Sequence, residues 1–476
     1  MLNLSRKLAR KPSRILLAGL LCCLPLTAAA QVSETIHHDL QVSLDPATGE
    51  IEVLDSITLP PSLAGGPAEF RLNSNLEVAP GEASLRSAPG LPAGILLNTM
   101  SGEVAPTSAY QVETDGDGVF IVGYGGRIAQ DVAQQGAEYA QSFSETTGII
   151  DTRGVYLSKA SYWVPDFGDH LVSFDLRVEF AESARDWLAV SQGDHFGPNG
   201  WSSRDPMEEI YLIAAQFTEY SQMAGDVEAL AYLRTPDSNL AIRYLDATER
   251  YLQLYEPLLG DYPFSKFALV ENFWETGYGM PSFTLLGSQV IRFPFILESS
   301  YPHELLHNWW GNGVYPDYES GNWSEGLTAY LADHLFREMD GRGAEYRKDM
   351  LARYRNYVAE ETDFPLTEFT TRNSAASQAV GYGKTLMLWH MLRVELGDDL
   401  FLEGLRRLYA DYRFQRIGFT GIAELFSEVA GFDLGPFFAQ WVNRTGAPDI
   451  TVSVDEVGNN QAQILFAQIQ SGDPYE

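Results

Sequence analysis

Cysteine is nearly absent from this chain. Its 476 residues include two, Cys22 and Cys23, and both lie in an N-terminal apolar run. Once that run is removed, no thiol remains for a disulfide, a cysteine nucleophile or a thiolate metal site. Cations are scarce too: 32 Lys and Arg face 64 Asp and Glu, a formal charge of −32. A surface of that sign repels nucleic-acid phosphates and anionic lipid heads. Long apolar runs are confined to residues 15–26, preceded by Arg6, Lys7, Arg10, Lys11 and Arg14 and followed by Thr27, Ala28, Ala29 and Ala30. This is the layout of a secretory signal peptide cleaved near Ala30. Its loss removes five cations and no anions, taking the charge from −32 to −37. No later stretch approaches the roughly 20 apolar residues that span a bilayer. The expectation is a secreted or periplasmic protein with no stable membrane insertion after cleavage, whose chemistry uses His, Asp, Glu, Ser, Tyr or Lys.

What is present is ample apolar material, 45% of residues, for more than one core. From about 31 to 235 it recurs with period two, as in Val172, Phe174, Leu176, Val178 and Phe180 alternating with Ser173, Asp175, Arg177 and Glu179. Such alternation predicts an N-terminal antiparallel β-sandwich domain. Near its start, Leu40, Val42 and Leu44 lead through Asp45, Pro46 and Gly49 to Ile51 and Val53, a strand, turn and strand. After Pro236 the spacing becomes helical, with Ile242, Leu245, Leu252, Tyr255 and Leu259 on one face and Gly260 as a stop. Residues 236–447 then read as a mainly α domain, with helices at 301–310, 324–339, 383–396, 399–412, 420–429 and 434–443. Between the first two of the domain's helices lies a strand-like segment, 267–286, broken by Gly277, Tyr278 and Gly279. Past Pro448 the pattern is β again, and 448–476 is expected to be the start of a C-terminal β domain that has been cut short.

The chemistry concentrates at His303, Glu304, Leu305, Leu306 and His307, an HExxH pattern that places two imidazoles one helical turn apart with a carboxylate beside them. Ser299 or Ser300 can cap this helix, Pro302 suits its first turn and Gly311 can end it. A catalytic zinc takes three protein ligands, so a third must come from another element. Glu325 opens the next helix, but Asn322 and Glu325 have capping-box spacing, and an acid in a first turn is favoured in any case. On the residues alone, Glu319 and Asp317 compete with it.

Beyond the pentapeptide, the sequence resembles the zinc aminopeptidases typified by membrane alanyl aminopeptidase and leukotriene hydrolase. Asn308, Trp309, Trp310, Gly311 and Asn312 follow the second His much as in that family. Residues 323–330 look like its segment around the glutamate ligand. Gly381, Tyr382, Gly383 and Lys384 look like its Tyr-x-Lys-Gly segment, with Thr385 in place of the glycine. Trp441, Gly446 and Pro448 resemble the close of its catalytic domain, and residues 162–165 a weaker segment of its β domain. The resemblance implies a β-sandwich followed by a thermolysin-like catalytic domain. It also implies one zinc on His303, His307 and Glu325, with Glu304 as base and Tyr382 as oxyanion donor. Two departures stand out. The 17 residues from 308 to 324 are one fewer than the family's spacing. The family's Gly-x-Met-Glu-Asn strand, whose Glu holds the substrate's free amine, aligns with residues 277–283, so that Pro281 replaces that Glu. Glu271 and Glu275 are the nearest acids that could stand in.

Other polar residues have plainer readings. Lys384, His334 and His390 fit helix surfaces or satisfied interior positions; His37 and His38 sit in the first strand without a carboxylate at ligand spacing; and Asp166 and Asp169 suit a turn better than a calcium site. The expected function is a secreted zinc metallopeptidase acting on peptides or proteins, most nearly an aminopeptidase. The alternatives are an endopeptidase on the same scaffold and a catalytically silent zinc-containing binding protein.

Overall fold

The structure is a computed structural model describing residues 34–79, 86–87, 103–134, 144–458 and 461–476. The expected leader, with Cys22 and Cys23, lies outside these residues. The first β strand, Ile36–Asp45, turns at Gly49 into Glu50–Thr58, its antiparallel neighbour, and pairs in parallel with Val172–Phe180 on its other side. These three strands belong to a seven-stranded sheet. A four-stranded sheet contributes Ile149, Ile150, Leu157, Leu212 and Ile213 to the same core as Leu40, Val42, Leu176 and Trp201. Period-two burial, with Phe174, Leu176 and Val178 inside and Arg177 and Glu179 outside, drives this packing. The N-terminal region is thus β-rich and layered, as its alternation predicts.

A five-stranded sheet carries the chain into the helical region, in the order Thr218–Ala224, Val227–Leu233, Lys266–Asn272, Phe283–Gly287 and Gly277–Met280. Its first two strands precede Pro236, so the sheet is entered about eighteen residues before the change of period at which the sequence divides. The parallel step from Val227–Leu233 to Lys266–Asn272 is made through the helix Ser238–Leu259, capped by Asp237, whose Oδ1 accepts from the Leu240 N–H at 3.0 Å. Leu245, Leu252, Tyr255 and Leu259 are buried as expected, whereas Ile242 faces solvent.

Both faces of this sheet are covered, and the unbroken apolar run Phe267–Ala268–Leu269–Val270 follows from that. Phe267 and Leu269 pack with the helices, while Ala268 and Val270 join the N-terminal β core. The sheet is therefore the shared wall of two cores, and its strand Gly277–Met280 is an edge. Beyond it the helices appear close to expectation, including Phe419–Ala430, Gly435–Asn443 and Thr385–Tyr412, the last broken at Gly397 (φ 75°). The helix Gly343–Tyr357 escapes the apolar pattern because Gly343 is its one buried residue. After Pro448, Ile450–Gly458 and Gln461–Gln468 form an antiparallel hairpin. No helix among the described residues is long and apolar enough to cross a membrane.

Candidate active site

The helix Ser300–Leu306 carries His303 and Glu304 and hands His307 to its C-terminal turn. Tyr301, Leu305 and Leu306 on its other side are buried among the helices, which fixes the rotation that turns the imidazoles outward into a cleft of about 380 Å³. Ser299 occupies the cap position, but its hydroxyl donates to the Phe295 carbonyl rather than capping a helix N–H. Gly311 adopts φ +111°, and a Cβ there would lie 3.4 Å from His307 Nδ1. A glycine suits this turn because the backbone passes close to the imidazole.

The competition for third ligand is decided by where the side chains point. Asn322 Oδ1 accepts from the backbone N–H of Ser324 at 3.1 Å and from its hydroxyl at 2.7 Å, and the Asn322 N–H donates to the Phe369 carbonyl at 2.7 Å, so the Glu325 carboxylate takes no part in a capping box. Glu325 Oε2 instead lies 3.5 Å from His303 Nε2 and 3.3 Å from His307 Nε2. Glu319 is exposed in the 3₁₀ turn Tyr318–Ser320, and Asp317 caps that same turn. His303, His307 and Glu325 are the one group of three such ligand atoms, all within 4.8 Å of each other, among the described residues.

The opposite ring nitrogens are held in place. His307 Nδ1 lies 2.9 Å from the Trp310 carbonyl, an oxygen that can only accept, so Nδ1 carries a proton and Nε2 is the nitrogen left to face Glu325. His303 Nδ1 is 3.3 Å from Asp333 Oδ2. Asp333 is a site residue that sequence reasoning missed. It stands eight positions after Glu325, whereas two ideal helical turns span about seven residues and would present Ala332. The helix contains a π turn at Tyr330–His334, which absorbs one extra residue and brings Asp333 round to face His303.

Electrostatics agree with a cation site. Burial disfavours charge on His303, but the carboxylates of Asp333, Glu325 and Glu304 outweigh it and hold the imidazole well above its ordinary range. His307 is raised in the same way, burial being overcome chiefly by Glu325. Burial would likewise raise Glu325, yet the two imidazoles hold it well below the usual carboxylate range. Its Oε2 is buried with no hydrogen-bond partner. Tetrahedral zinc with bonds of about 2.0–2.1 Å separates its ligand atoms by about 3.3 Å, which matches the distances from Glu325 to both imidazoles. The donor set fits zinc.

Glu304 sits beside the edge strand, so close that a Cβ on Gly279 would lie 2.6 Å from its Oε2. Tyr382 arrives from a second π turn, Ala379–Lys384, with its ring nearly parallel to His303 at 6.3 Å. Burial first, and then the nearby Glu325, push its phenol well above the ordinary value, so it keeps its proton as a hydrogen-bond donor. Lys384 points away and donates to the Arg444 carbonyl.

At the other end of the cleft the edge strand stops early. Pro281 and Ser282 form the two-residue turn that joins Gly277–Met280 to Phe283–Gly287, with Ser282 at φ 63°. The turn is pinned from beneath: the Ser282 N–H donates to Asn308 Oδ1 at 2.7 Å, and the buried Lys266 ammonium donates to Ser282 Oγ at 2.8 Å. Neither Glu271 nor Glu275 reaches the cleft. Glu271 is paired with Arg292 at 2.8 Å and accepts from the Arg234 N–H, and the Glu275 carboxylate accepts from the N–H groups of Gln289 and Val290.

The remaining polar residues serve structure. His38 does find a carboxylate, Asp55 at 2.8 Å from the neighbouring strand, in a buried pair. His37 meets Ser173, His334 meets Arg347 and His390 meets the Tyr330 hydroxyl. Asp166 is committed to Arg71 at 2.6 Å and Asp169 to Arg416 at 3.0 Å, which leaves neither for calcium.

Comparison with known proteins gives the same direction. Residues 298–441 match the peptidase family M1 domain. The chain is 22% identical over 332 residues to the alanine/arginine aminopeptidase of Saccharomyces cerevisiae, covering 65% of this chain and 37% of that one. It is 22% identical over 316 residues to aminopeptidase N of Lactococcus lactis subsp. cremoris, covering 59% and 36%. The chain thus spans little more than a third of the length of these two relatives. An M1 zinc metallopeptidase structure from Deinococcus radiodurans shares the fold, with a TM-score of 0.62 at 16% identity over 87% of this chain and 95% of that one. A mutant of that enzyme has been solved with a Tyr-Ser-Ala substrate, again with a TM-score of 0.62. Taken with the HExxH helix, the Glu325 carboxylate between its two imidazoles and the β-to-α architecture, the match places a peptidase family M1 domain at residues 298–441.

Proposed function

We propose that this protein is a secreted zinc metallopeptidase that hydrolyses peptide bonds, aminopeptidase-like in scaffold but with an altered amine-binding strand. The observation that carries the reading is the meeting of His303 Nε2, His307 Nε2 and Glu325 Oε2 around one point beside Glu304. His303, His307 and Glu325 would hold the zinc, with Asp333 and the Trp310 carbonyl orienting the imidazoles. When bound, zinc supplies Lewis-acid polarisation of the scissile carbonyl and lowers the pKa of water to about 7. Glu304 takes a proton from the attacking water and returns it to the departing amine. The Tyr382 hydroxyl donates a hydrogen bond to the carbonyl oxygen as negative charge develops there. Secretion rests on the leader expected at residues 1–30.

The altered strand is supported by three observations: Pro281 lies in a turn, Ser282 is buried beneath it, and Glu271 and Glu275 are engaged elsewhere. An ammonium of the substrate therefore meets no carboxylate from these positions. The test is profiling on a peptide mixture with and without a zinc chelator, together with N-acetylated versions of the best substrates. Chelator-sensitive cleavage is expected, with an acetylation penalty below the roughly 10- to 150-fold that a charge-assisted contact contributes. Cleavage that survives metal removal would overturn the metallopeptidase reading, and a penalty of a hundredfold would overturn the altered strand.

A further inference from the structure

The charge of the cleft is lopsided in an unexpected way. Glu304, Glu325 and Asp333 line it, and among its described lining residues Arg372 is the one Lys or Arg. In a chain where acids outnumber such cations by 64 to 32, a guanidinium in the cleft runs against the prevailing sign. Arg372 lies between the 3₁₀ turn Leu366–Glu368 and the helix Ala375–Gln378. Its guanidinium carbon stands 5.6 Å from the centre of the Tyr382 ring. Its charge is also felt at Tyr278 on the edge strand. Burial pushes both phenols up, Glu145 adds to this at Tyr278, and the positive charge of Arg372 opposes it at both. The cation therefore stands in the cleft beside Tyr382, the residue proposed to hold the carbonyl oxygen of the scissile bond.

We propose that Arg372 is a specificity-determining residue that binds a carboxylate of the substrate close to the scissile bond. The inference rests on the reading of this cleft as a peptidase site. A guanidinium offers two parallel N–H donors that match a carboxylate, and it repels an ammonium. The cleft thereby gains a cation beside Tyr382. The carboxylate has two possible sources, an acidic side chain on the residue that gives the scissile carbonyl, or the C-terminus of a dipeptide.

The two sources are separated by matched pairs assayed with the zinc-loaded full chain. One pair is the aminocoumarin amides of Glu and Gln, nearly isosteric and without a terminal carboxylate; the other is Ala-Ala and its C-terminal amide. The carboxylate-bearing member of at least one pair is expected to show a kcat/KM about tenfold higher or more. That ratio should fall to near parity in Arg372→Gln and be partly kept in Arg372→Lys, which retains the charge without the fork. Preference within the first pair identifies the side chain, and within the second the terminus. Parity in both pairs, or a preference that survives Arg372→Gln, overturns the proposal. If no peptide at all is cut, the metallopeptidase reading fails separately, and calorimetry of the same four compounds on zinc-loaded Glu304→Gln decides the inference. Tighter binding of the carboxylates that disappears in the double variant Glu304→Gln, Arg372→Gln supports it, and equal binding overturns it.

Discussion

The two ends of the cleft are built by different rules. At the metal end both imidazoles are positioned by a further group, Asp333 behind His303 and the Trp310 carbonyl behind His307, and the Glu325 carboxylate lies against both rings. At the edge-strand end the polar groups support the backbone instead. Ser282, Lys266 and Asn308 bind one another beneath the turn, and Glu271 and Glu275 fasten neighbouring segments. The metal end is constrained by an ion's coordination distances, which tolerate only small errors. The edge-strand end is constrained by the need to close a hairpin, which many sequences satisfy. A metal end held this tightly and an edge-strand end held this loosely can sit within a single cavity.

The largest effects are expected at the metal end. Glu325→Ala should abolish both zinc binding and hydrolysis, since two protein ligands hold zinc far more weakly than three, while Glu319→Ala should leave the metal content unchanged. Metal analysis of the two purified variants checks this, and zinc retained by the first but lost from the second would reverse the assignment. Glu304→Gln should keep its zinc and lose about 10²- to 10⁴-fold in kcat, because the amide preserves the shape and cannot accept the proton. Tyr382→Phe should lower kcat more than it raises KM, as its hydroxyl acts once negative charge has formed on the oxygen.

A smaller loss tests the supporting layer. Asp333→Asn is expected to reduce zinc affinity or activity by about 10- to 100-fold, because the amide cannot bring the charge that favours His303 as a ligand. A competition titration against a chelator gives the number, and unchanged affinity would remove Asp333 from the site. At the other end, Glu275→Gln should change the penalty for N-acetylating a substrate by less than about twofold, since its carboxylate serves backbone N–H groups rather than the cleft. A large change there would erase the contrast between the two ends.

The smallest effect concerns stability away from the cleft. Burial raises the Glu209 carboxyl from 4.5 to about 7, against the Lys159 N–H and the Tyr211 hydroxyl that favour its ionised form. Below pH 4.5 the carboxyl is protonated folded or unfolded. Between 4.5 and 7 the folded state holds the proton more tightly, so this group's contribution to stability declines as the pH rises through that window. Each unit of difference corresponds to about 1.4 kcal/mol. Glu209→Gln should flatten the slope of Tm against pH in that window, and an unchanged slope would show that Glu209 is ionised in the fold.

Local spacing alone determined a good part of this protein. Period-two alternation from 172 to 180 makes a strand with one wet face, and imidazoles at positions i and i+4 share a helical face wherever the helix lies. Both follow from the geometry of a single element. The rest was decided only in three dimensions. The Asn322 N–H is taken by the Phe369 carbonyl, so Glu325 is left to meet the imidazoles, and no spacing rule could choose it over Glu319. The π turn at Tyr330–His334 moves Asp333 onto the site by one residue, a shift invisible to helical periodicity. Strands 218–224 and 227–233 read as part of the first β region, yet they pair into the sheet that borders the cleft, because pairing partners are set by packing on both faces. Pro281 stands where the resemblance would place a carboxylate, whereas the cation of Arg372, ninety-one residues further on, enters the same cleft only because the fold closes there. Elements form from neighbours along the chain, but a site is assembled from residues far apart in sequence whose distances are fixed by the packed core.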